Sequence, residues 1–363
     1  MMSTGGLDTV GSPAFTDEES ARYRAAGWWS DMTLSDAVAR NAKQRPDRFA
    51  YIDHPGQTFT WYEFDAAATA LAEQLAAVGI TRGDRVAVWH GDSAAIHLLF
   101  VAVERCGAVV VGIGARAGTR EVAAILRNSR PHLLISDGQR SDAATQATTA
   151  IGELSVPVLV LRDGGRAPRL SIDASSIDAE SSTVPVGDAL GADDVFLINS
   201  TSGTTGLPKC VVHTQNRWHY FHQKAVANGQ LTPDDVFLPV IPMPFGFGIW
   251  TSHTSPIYLG ATAVILDRFT ARATCEAIAE HRVTVLCCVS TQLTMLMADR
   301  ASRDNDLSSL RVVFTGGESL PYRPAAEFEK LTGATILQFY GSNETGLLSA
   351  TTVHDSQERR LRT

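Results

Sequence analysis

The densest concentration of chemistry in the chain is the run Ile198-Asn-Ser-Thr-Ser-Gly-Thr-Thr-Gly-Leu-Pro-Lys209. Ser200, Thr201, Ser202, Thr204 and Thr205 surround Gly203 and Gly206, and Lys209 follows directly on Pro208. Glycines permit the turns that aim successive backbone N–H groups at one anion, and the hydroxyls and the ammonium add further donors. The ligand suited to such a loop is a polyphosphate. Two residues separate the glycines and Cys210 follows Lys209, so the Gly-x4-Gly-Lys-Ser/Thr spacing of the Walker loop is not met. A flexible Ser/Thr/Gly linker has a similar composition. The apolar run Val195-Phe-Leu-Ile198 just upstream argues instead for a loop at the end of a buried strand.

Three further segments carry chemistry. Val312-Val-Phe-Thr-Gly-Gly-Glu318 ends a strand-like run in a double glycine, a backbone that a flat ring can approach closely. Gln338-Phe-Tyr-Gly-Ser-Asn-Glu-Thr345 places a carboxylate just beyond a strand end, the region where open α/β sheets bind ligands. Pro242-Met-Pro-Phe-Gly-Phe-Gly248 interleaves aromatic residues with glycines. With the Ser/Thr/Gly loop, and in their order along the chain (198–209, 242–248, 312–318, 338–345), these segments resemble the signatures of the adenylate-forming enzymes. That superfamily includes acyl-CoA synthetases, aryl-acid AMP ligases, firefly luciferase and peptide-synthetase adenylation domains. The resemblance covers roughly residues 28 to 350.

The resemblance implies an acid–thiol ligase ancestry: ATP and Mg2+ as cofactors, a small carboxylic acid as substrate, and CoA or a carrier protein as acyl acceptor. A carboxylate oxygen would attack the α-phosphate, giving an acyl-adenylate and pyrophosphate, and a thiolate would then take the acyl group. No side-chain nucleophile is needed, because positioning and charge stabilisation carry such a step. Carried over residue by residue, Thr201, Ser202, Gly203, Thr204, Thr205, Gly206 and Lys209 would hold the β- and γ-phosphates. Gly316, Gly317 and Glu318 would line the adenine and the acyl-phosphate junction. Tyr340 would stack on adenine beside Gly341, Asn343 would donate to the α-phosphate, and Glu344 would hold Mg2+ with Thr201 as a second metal contact. The catalytic roles thus fall to Lys209, Asn343 and Glu344. Phe245, Gly246, Phe247 and Trp250 would form a pocket for an apolar or cyclic acid.

The chain departs from the family's pattern at two of these positions. Asn343 stands where Thr is common, although an amide still donates. Phe245 stands where His is frequent. Family members also continue to a ribose-binding Thr-Gly-Asp, a hinge arginine and a mobile C-terminal domain bearing a lysine that promotes adenylation, none of which precedes Thr363. The expectation is a large N-terminal domain without its lid, with weak Mg-ATP binding at most and little or no synthetase activity.

The elements that must position these groups alternate. Thr60-Trp-Tyr-Glu63 has capping-box spacing, and Phe64, Ala68, Leu71, Leu75 and Val78 then recur at helical intervals. Strand-like runs at Arg85–Trp89, Ala108–Ile113, His132–Ile135, Thr262–Leu266, Leu310–Phe314 and Thr335–Phe339 are separated by helical stretches, among them Thr119–Asn128 and Ala271–His281. This order predicts an α/β protein: layered α/β subdomains with mostly parallel sheets and crossover helices. The expected organisation is a weakly ordered leader over 1–27, a first subdomain over 28–190, a second over 191–350 carrying the phosphate loop and nucleotide motifs, and a frayed tail over 351–363.

Composition narrows the function classes. A net charge of −8 with a pI near 5.7 leaves no electrostatic footprint for nucleic acid or for an anionic membrane surface. No apolar run is long enough for a membrane span, and five cysteines without zinc-site spacing suit a reducing cytoplasm. His90, His97, His213, His219 and His222 show no metal-ligand spacing and read as structural or surface residues. Two rival functions stay open. The pattern Arg22-Tyr-Arg-Ala-Ala-Gly-Trp-Trp29 resembles the start of aryl-acid AMP ligases that load carrier proteins, although the acyl segment lacks their His-Asn pair. The other rival is a non-catalytic nucleotide-binding protein that keeps the fold.

Overall fold

The computed structural model describes residues 15–152, 154–162, 171–173, 188–201 and 209–362. Its strands are β1 (Phe49–Asp53), β2 (Thr58–Thr60), β3 (Arg85–Trp89), β4 (Val109–Ile113), β5 (Leu133–Asp137), β6 (Val158–Arg162), β7 (Ser171–Asp173) and β8 (Val195–Thr201). They continue with β9 (Lys209–Thr214), β10 (Val236–Pro239), β11 (Thr262–Ile265), β12 (Val285–Cys287), β13 (Val312–Gly316), β14 (Thr335–Ser342) and β15 (Gly346–Ala350). The chain divides into two units, each built on one sheet. The first comprises Met1–Arg40, Glu63–Gly91 and Ala95–Arg217, the second Asn41–Tyr62, Asp92–Ala94 and Trp218–Thr363.

In the first unit the strand order is β7-β6-β5-β3-β4-β8-β9. The five central strands are parallel, while β7 and β9 lie antiparallel at the two edges. Every residue of β3 and β4 is buried, as expected for parallel strands covered on both faces. The helix Thr119–Ser129 buries Val122, Ala123, Ile125 and Leu126, and Val122, Ile125 and Leu126 form one core with Ala87, Val111 and Leu134 from the sheet.

The second sheet has the order β15-β14-β13-β12-β10-β11-β1-β2, parallel from β14 to β1 and antiparallel at both edges. Leu238, Leu286, Val313 and Ile336 are register partners across four neighbouring strands. Phe328 of the helix Tyr322–Thr332 and Leu361 join the same core. The mostly parallel α/β layers read from the sequence are therefore present in both units.

Where the structure differs, tertiary pairing is the reason. The leader expected to be weakly ordered contains the helix Asp17–Ala25, with Thr16 and Glu19 forming a capping box. Tyr23 packs against Trp29 at a ring separation of 5.1 Å, and Arg24 pairs with Asp193 at 2.5 Å. The expected boundary near residue 190 falls inside the first unit, because β8 pairs with β4 and β9 closes the edge. Residues 49–60, left unassigned in the sequence reading, supply β1 and β2 to the second sheet.

The tail expected to fray forms the helix Gln357–Arg362, with Arg360 and Leu361 buried. Arg360 makes a buried ion pair with Glu329 and donates to the Ile336 carbonyl at 2.8 Å, and Glu329 accepts from the Ile336 N–H at 2.7 Å. Replacing Arg360 with Ala leaves the Glu329 carboxylate buried without its cation. We expect a loss of about 3–5 kcal/mol, read from the chemical-denaturation midpoint.

Glu104 of the first unit is buried in the helix Ala94–Arg105 and accepts the Ser35 N–H at 2.9 Å. Burial pushes its carboxyl from 4.5 up to about 7, against the opposing effect of the Ser35 bond. The folded chain thus holds this proton more tightly than the unfolded chain, so the stabilising contribution is complete below pH 4.5 and is lost as pH rises through 7. Between pH 5 and 8, Glu104→Gln should gain stability relative to the parent chain by up to about 3 kcal/mol, measured by urea unfolding at both pH values.

Candidate active site

The Ser/Thr/Gly loop joins two strands of the first unit that pair antiparallel, with Thr201 opposite Lys209. Ser202, Gly203, Thr204, Thr205 and Gly206 lie outside the described residues, as does the side chain of Thr201. Lys209 is exposed at the first position of β9. A buried polar crosslink fixes the two strands beneath it. His213 Nε2 lies 2.9 Å from the Asn199 side-chain oxygen, and Arg217 Nη1 lies 3.3 Å from His213 Nδ1. An amide oxygen only accepts and a guanidinium only donates, so these neighbours select the tautomer protonated on Nε2. Burial, reinforced by the Arg217 charge, pushes the His213 imidazole down to about 3. It therefore stays neutral at physiological pH.

The second unit contains a cavity of about 220 Å³ lined mainly by apolar groups. One wall is the end of β13, where Gly316 lies opposite Phe339 of β14. A Cβ on Gly316 would meet the Phe339 ring and carbonyl oxygen at 2.7 Å, so this approach requires glycine. A second wall is aromatic: Phe247 and Trp250 stand 4.5 and 5.1 Å from the Phe339 ring. Trp218 and Phe221 of the helix Gln215–Gly229 complete the lining with the β14–β15 hairpin. That hairpin turns over Asn343, Glu344 and Thr345, closed by reciprocal bonds between Ser342 and Thr345 and followed by Gly346 at φ +69°. The left-handed glycine is the first residue of β15 and lies opposite Ser342, so it starts the return strand.

The aromatic wall rests on an irregular helix. Gly246–Ile249 is α-helical, Trp250–Thr254 is a π-helix, and Ser255–Leu259 returns to α. π-turns leave the regular ladder, and polar side chains accompany this one. Thr251 and Ser252 hydroxyls donate to the Phe247 and Gly248 carbonyls at 2.8 Å, and the Ser252 carbonyl accepts from the buried Tyr51 hydroxyl at 3.0 Å. Upstream, the Met243 N–H donates to Asp92 at 2.9 Å, anchoring the entry to the segment.

With this geometry in hand, comparison with known proteins is informative. The family model described as AMP-binding enzyme matches residues 38–363. The chain belongs to the AMP-binding enzyme family. It is 27% identical over 354 residues to the medium-chain fatty-acid–CoA ligase of Escherichia coli K12, covering 96% of this chain and 62% of that protein. It is 28% identical to enterobactin synthase component E of the same organism, covering 96% of this chain and 64% of the relative. Among solved structures, the apo structure of Mycobacterium smegmatis MbtA superposes with a TM-score of 0.80 at 25% identity, covering 98% of this chain and 64% of that one. The chain thus spans a little under two thirds of each of these relatives.

Within this AMP-binding family member, seven of the residues chosen from the sequence line the one cavity: Gly246, Phe247, Trp250, Gly316, Gly317, Gly341 and Asn343. Gly246 and Asn343 meet closely, since a Cβ on Gly246 would stand 3.1 Å from the Asn343 side-chain oxygen. The aromatic- and glycine-rich segment 242–248 and the hairpin motif thereby come together. Phe245 does not line the cavity and is exposed, at the position before the helix. Tyr340 is 69% exposed, because strand side chains alternate and its neighbour Phe339 takes the inward place. Glu344 is exposed at the hairpin tip. Glu318 bonds the backbone N–H and hydroxyl of Thr291 at 2.6 and 3.0 Å, placing a carboxylate at the start of the helix Ser290–Ala298.

Trp218, Phe221, Phe339 and Leu347 are lining residues that the sequence reading passed over. The spacing of Trp218 and Phe221 on one helix face was a usable signal, but it does not distinguish a pocket wall from core. Tyr51, from β1, supports the π-helix from about 200 residues away. Tyr51→Phe removes only that hydroxyl, and the expected cost is about 1 kcal/mol, read from the denaturation midpoint. An unchanged midpoint would mean that the Ser252 carbonyl is fully satisfied without it.

Proposed function

We propose that this chain carries the carboxylate-activating half of an AMP-forming acid–thiol ligase: ATP and an apolar carboxylic acid are converted to an acyl-adenylate and pyrophosphate. The observation that carries the reading is the contact between Gly246 and Asn343, which sets an aromatic-walled cavity directly against the hairpin bearing Tyr340, Asn343 and Glu344. An apolar acid body would occupy the cavity, and the amide of Asn343 would donate to phosphate oxygens at its rim. A cavity of about 150 Å³ admits benzene. The present one, at about 220 Å³, suits a single-ring or short-chain acid.

Lys209 and the Ser/Thr/Gly loop would hold the leaving pyrophosphate. Glu344 offers an exposed carboxylate at the hairpin tip, the hard oxygen donor that Mg2+ takes; bound there, the ion would neutralise phosphate charge. CoA is the proposed acyl acceptor, in keeping with the similarity to a fatty-acid–CoA ligase, and a carrier protein is the alternative. A cytoplasmic setting fits the five cysteines, all within the described residues and all free thiols. No helix among the described residues is long and apolar enough to cross a membrane.

The test is acid-dependent exchange of labelled pyrophosphate into ATP, run over aromatic, alicyclic and straight-chain acids. Exchange should appear with single-ring or short-chain acids. It should fall by about 10²–10³ in Lys209→Ala and in Glu344→Ala, as for the loss of one group stabilising developing charge. Exchange that is independent of the acid, or that stays at the parent level in both variants, would overturn the assignment.

A further inference from the structure

Among the described residues, one group of metal-capable side chains converges outside the cavity: His54, Glu280 and His281 of the second unit. His54 directly follows β1, and its backbone N–H donates to the Ile265 carbonyl at the end of β11 at 2.9 Å. Glu280 and His281 close the helix Ala271–His281, which stops at Arg282 in the left-handed region with φ +52°. A strand end and a helix end, 227 residues apart in sequence, thus present their donors to one point.

The spacing of the donor atoms is informative. His54 Nδ1 and His281 Nε2 are 3.0 Å apart. Glu280 Oε2 lies 3.6 Å from His54 Nδ1, and the other oxygen, Oε1, lies 3.9 Å from His281 Nε2. Ligand atoms about 2.0–2.1 Å from a tetrahedral metal are separated from one another by about 3.3 Å. The three observed separations straddle that value. Closing the site requires the two nitrogens to part by a few tenths of an ångström and the solvent-facing carboxylate to swing inward so that one oxygen serves both.

The rings themselves are held. The His54 and His281 side chains are only 12% and 16% exposed, whereas Glu280 is 63% exposed and able to adjust. The rings stand nearly perpendicular, at 85°, with the two facing nitrogens at hydrogen-bond distance.

We infer that His54, Glu280 and His281 form a binding site for a divalent transition metal, with two imidazole nitrogens and one carboxylate oxygen as protein ligands and water completing the shell. By ligand type the site prefers Zn2+ over Mg2+, which takes oxygen donors and octahedral geometry. Its effect is to clip the end of β1 to the end of the helix Ala271–His281. Binding that requires the folded arrangement stabilises the fold by mass action.

The experiment uses the full chain after chelator treatment, with millimolar Mg2+ present throughout. Zn2+ is titrated by calorimetry, Co2+ by visible absorption, and thermal melting is followed with and without Zn2+. The expected results are one Zn2+ per chain, a visible Co2+ band of low-coordinate type and a higher melting temperature with Zn2+. His54→Ala and His281→Ala should each weaken Zn2+ binding by more than about tenfold, since even loss of a partner behind a ligand costs that much. Glu280→Gln, on a 63% exposed side chain, should weaken binding while changing the metal-free melting temperature far less than either His→Ala variant. Absence of stoichiometric binding overturns the inference. So does binding that survives unaltered in all three variants.

Discussion

The backbone of Ile336 is the constraint on which the candidate site rests. It lies in β14, one strand from the edge of the second sheet, where β15 pairs only with residues from Phe339 onward. Nearer the start of β14 the sheet offers no strand partner on that side. Glu329 instead takes the Ile336 N–H, Arg360 takes its carbonyl, and the two side chains pair with each other out of water. Thr351 exchanges bonds with Gln338 just beyond, so the exposed side of β14 is satisfied first by side chains and then by a strand. The same strand carries Phe339, Gly341 and Ser342 into the cavity. A buried ion pair is weak evidence for stability but an effective means of fixing register, and here it fixes the strand that carries the hairpin.

Close approach dominates the cavity itself. Gly316 lets the Phe339 ring lie against the end of β13, and Gly346 lets Phe221 reach the base of the hairpin, where a Cβ would stand 1.7 Å from the ring. The aromatic residues then pack edge to face at 4.5–5.4 Å, a favourable arrangement for rings with negative faces and positive edges. The π-helix turns Trp250 into that cluster, and its altered backbone is accompanied by hydroxyls from Thr251, Ser252 and Tyr51. Apolar shape and polar satisfaction are thus secured by different residues.

Both sheets place a motif at an antiparallel edge. The Ser/Thr/Gly loop joins β8 to β9 at one edge of the first sheet, and the Asn343–Thr345 turn joins β14 to β15 at one edge of the second. Parallel strands need long crossovers, whereas antiparallel neighbours can be joined by a short turn that holds functional groups close to a rigid strand. Alternating apolar runs reveal the parallel centre of such a sheet. They do not reveal edges such as β9 and β15, where burial does not alternate along the strand and apolar residues such as Leu348 are exposed.

Local pattern by itself determined the α/β class, the helices with one buried face, and the four candidate segments. Each depends on residues close in sequence: helical spacing, strand-like apolar runs, a double glycine, a carboxylate after a strand. Only the tertiary structure decided which of the chosen residues share a cavity, since Phe247 and Asn343 line it while Phe245 is exposed and does not. It also decided that residues 49–60 belong to the second sheet, that the tail folds through Arg360, and that His54 meets His281. Those outcomes depend on pairings across 24 to 227 residues. Their free energy comes from burial and desolvated hydrogen bonds that form only once distant segments pack together, and no local spacing encodes them.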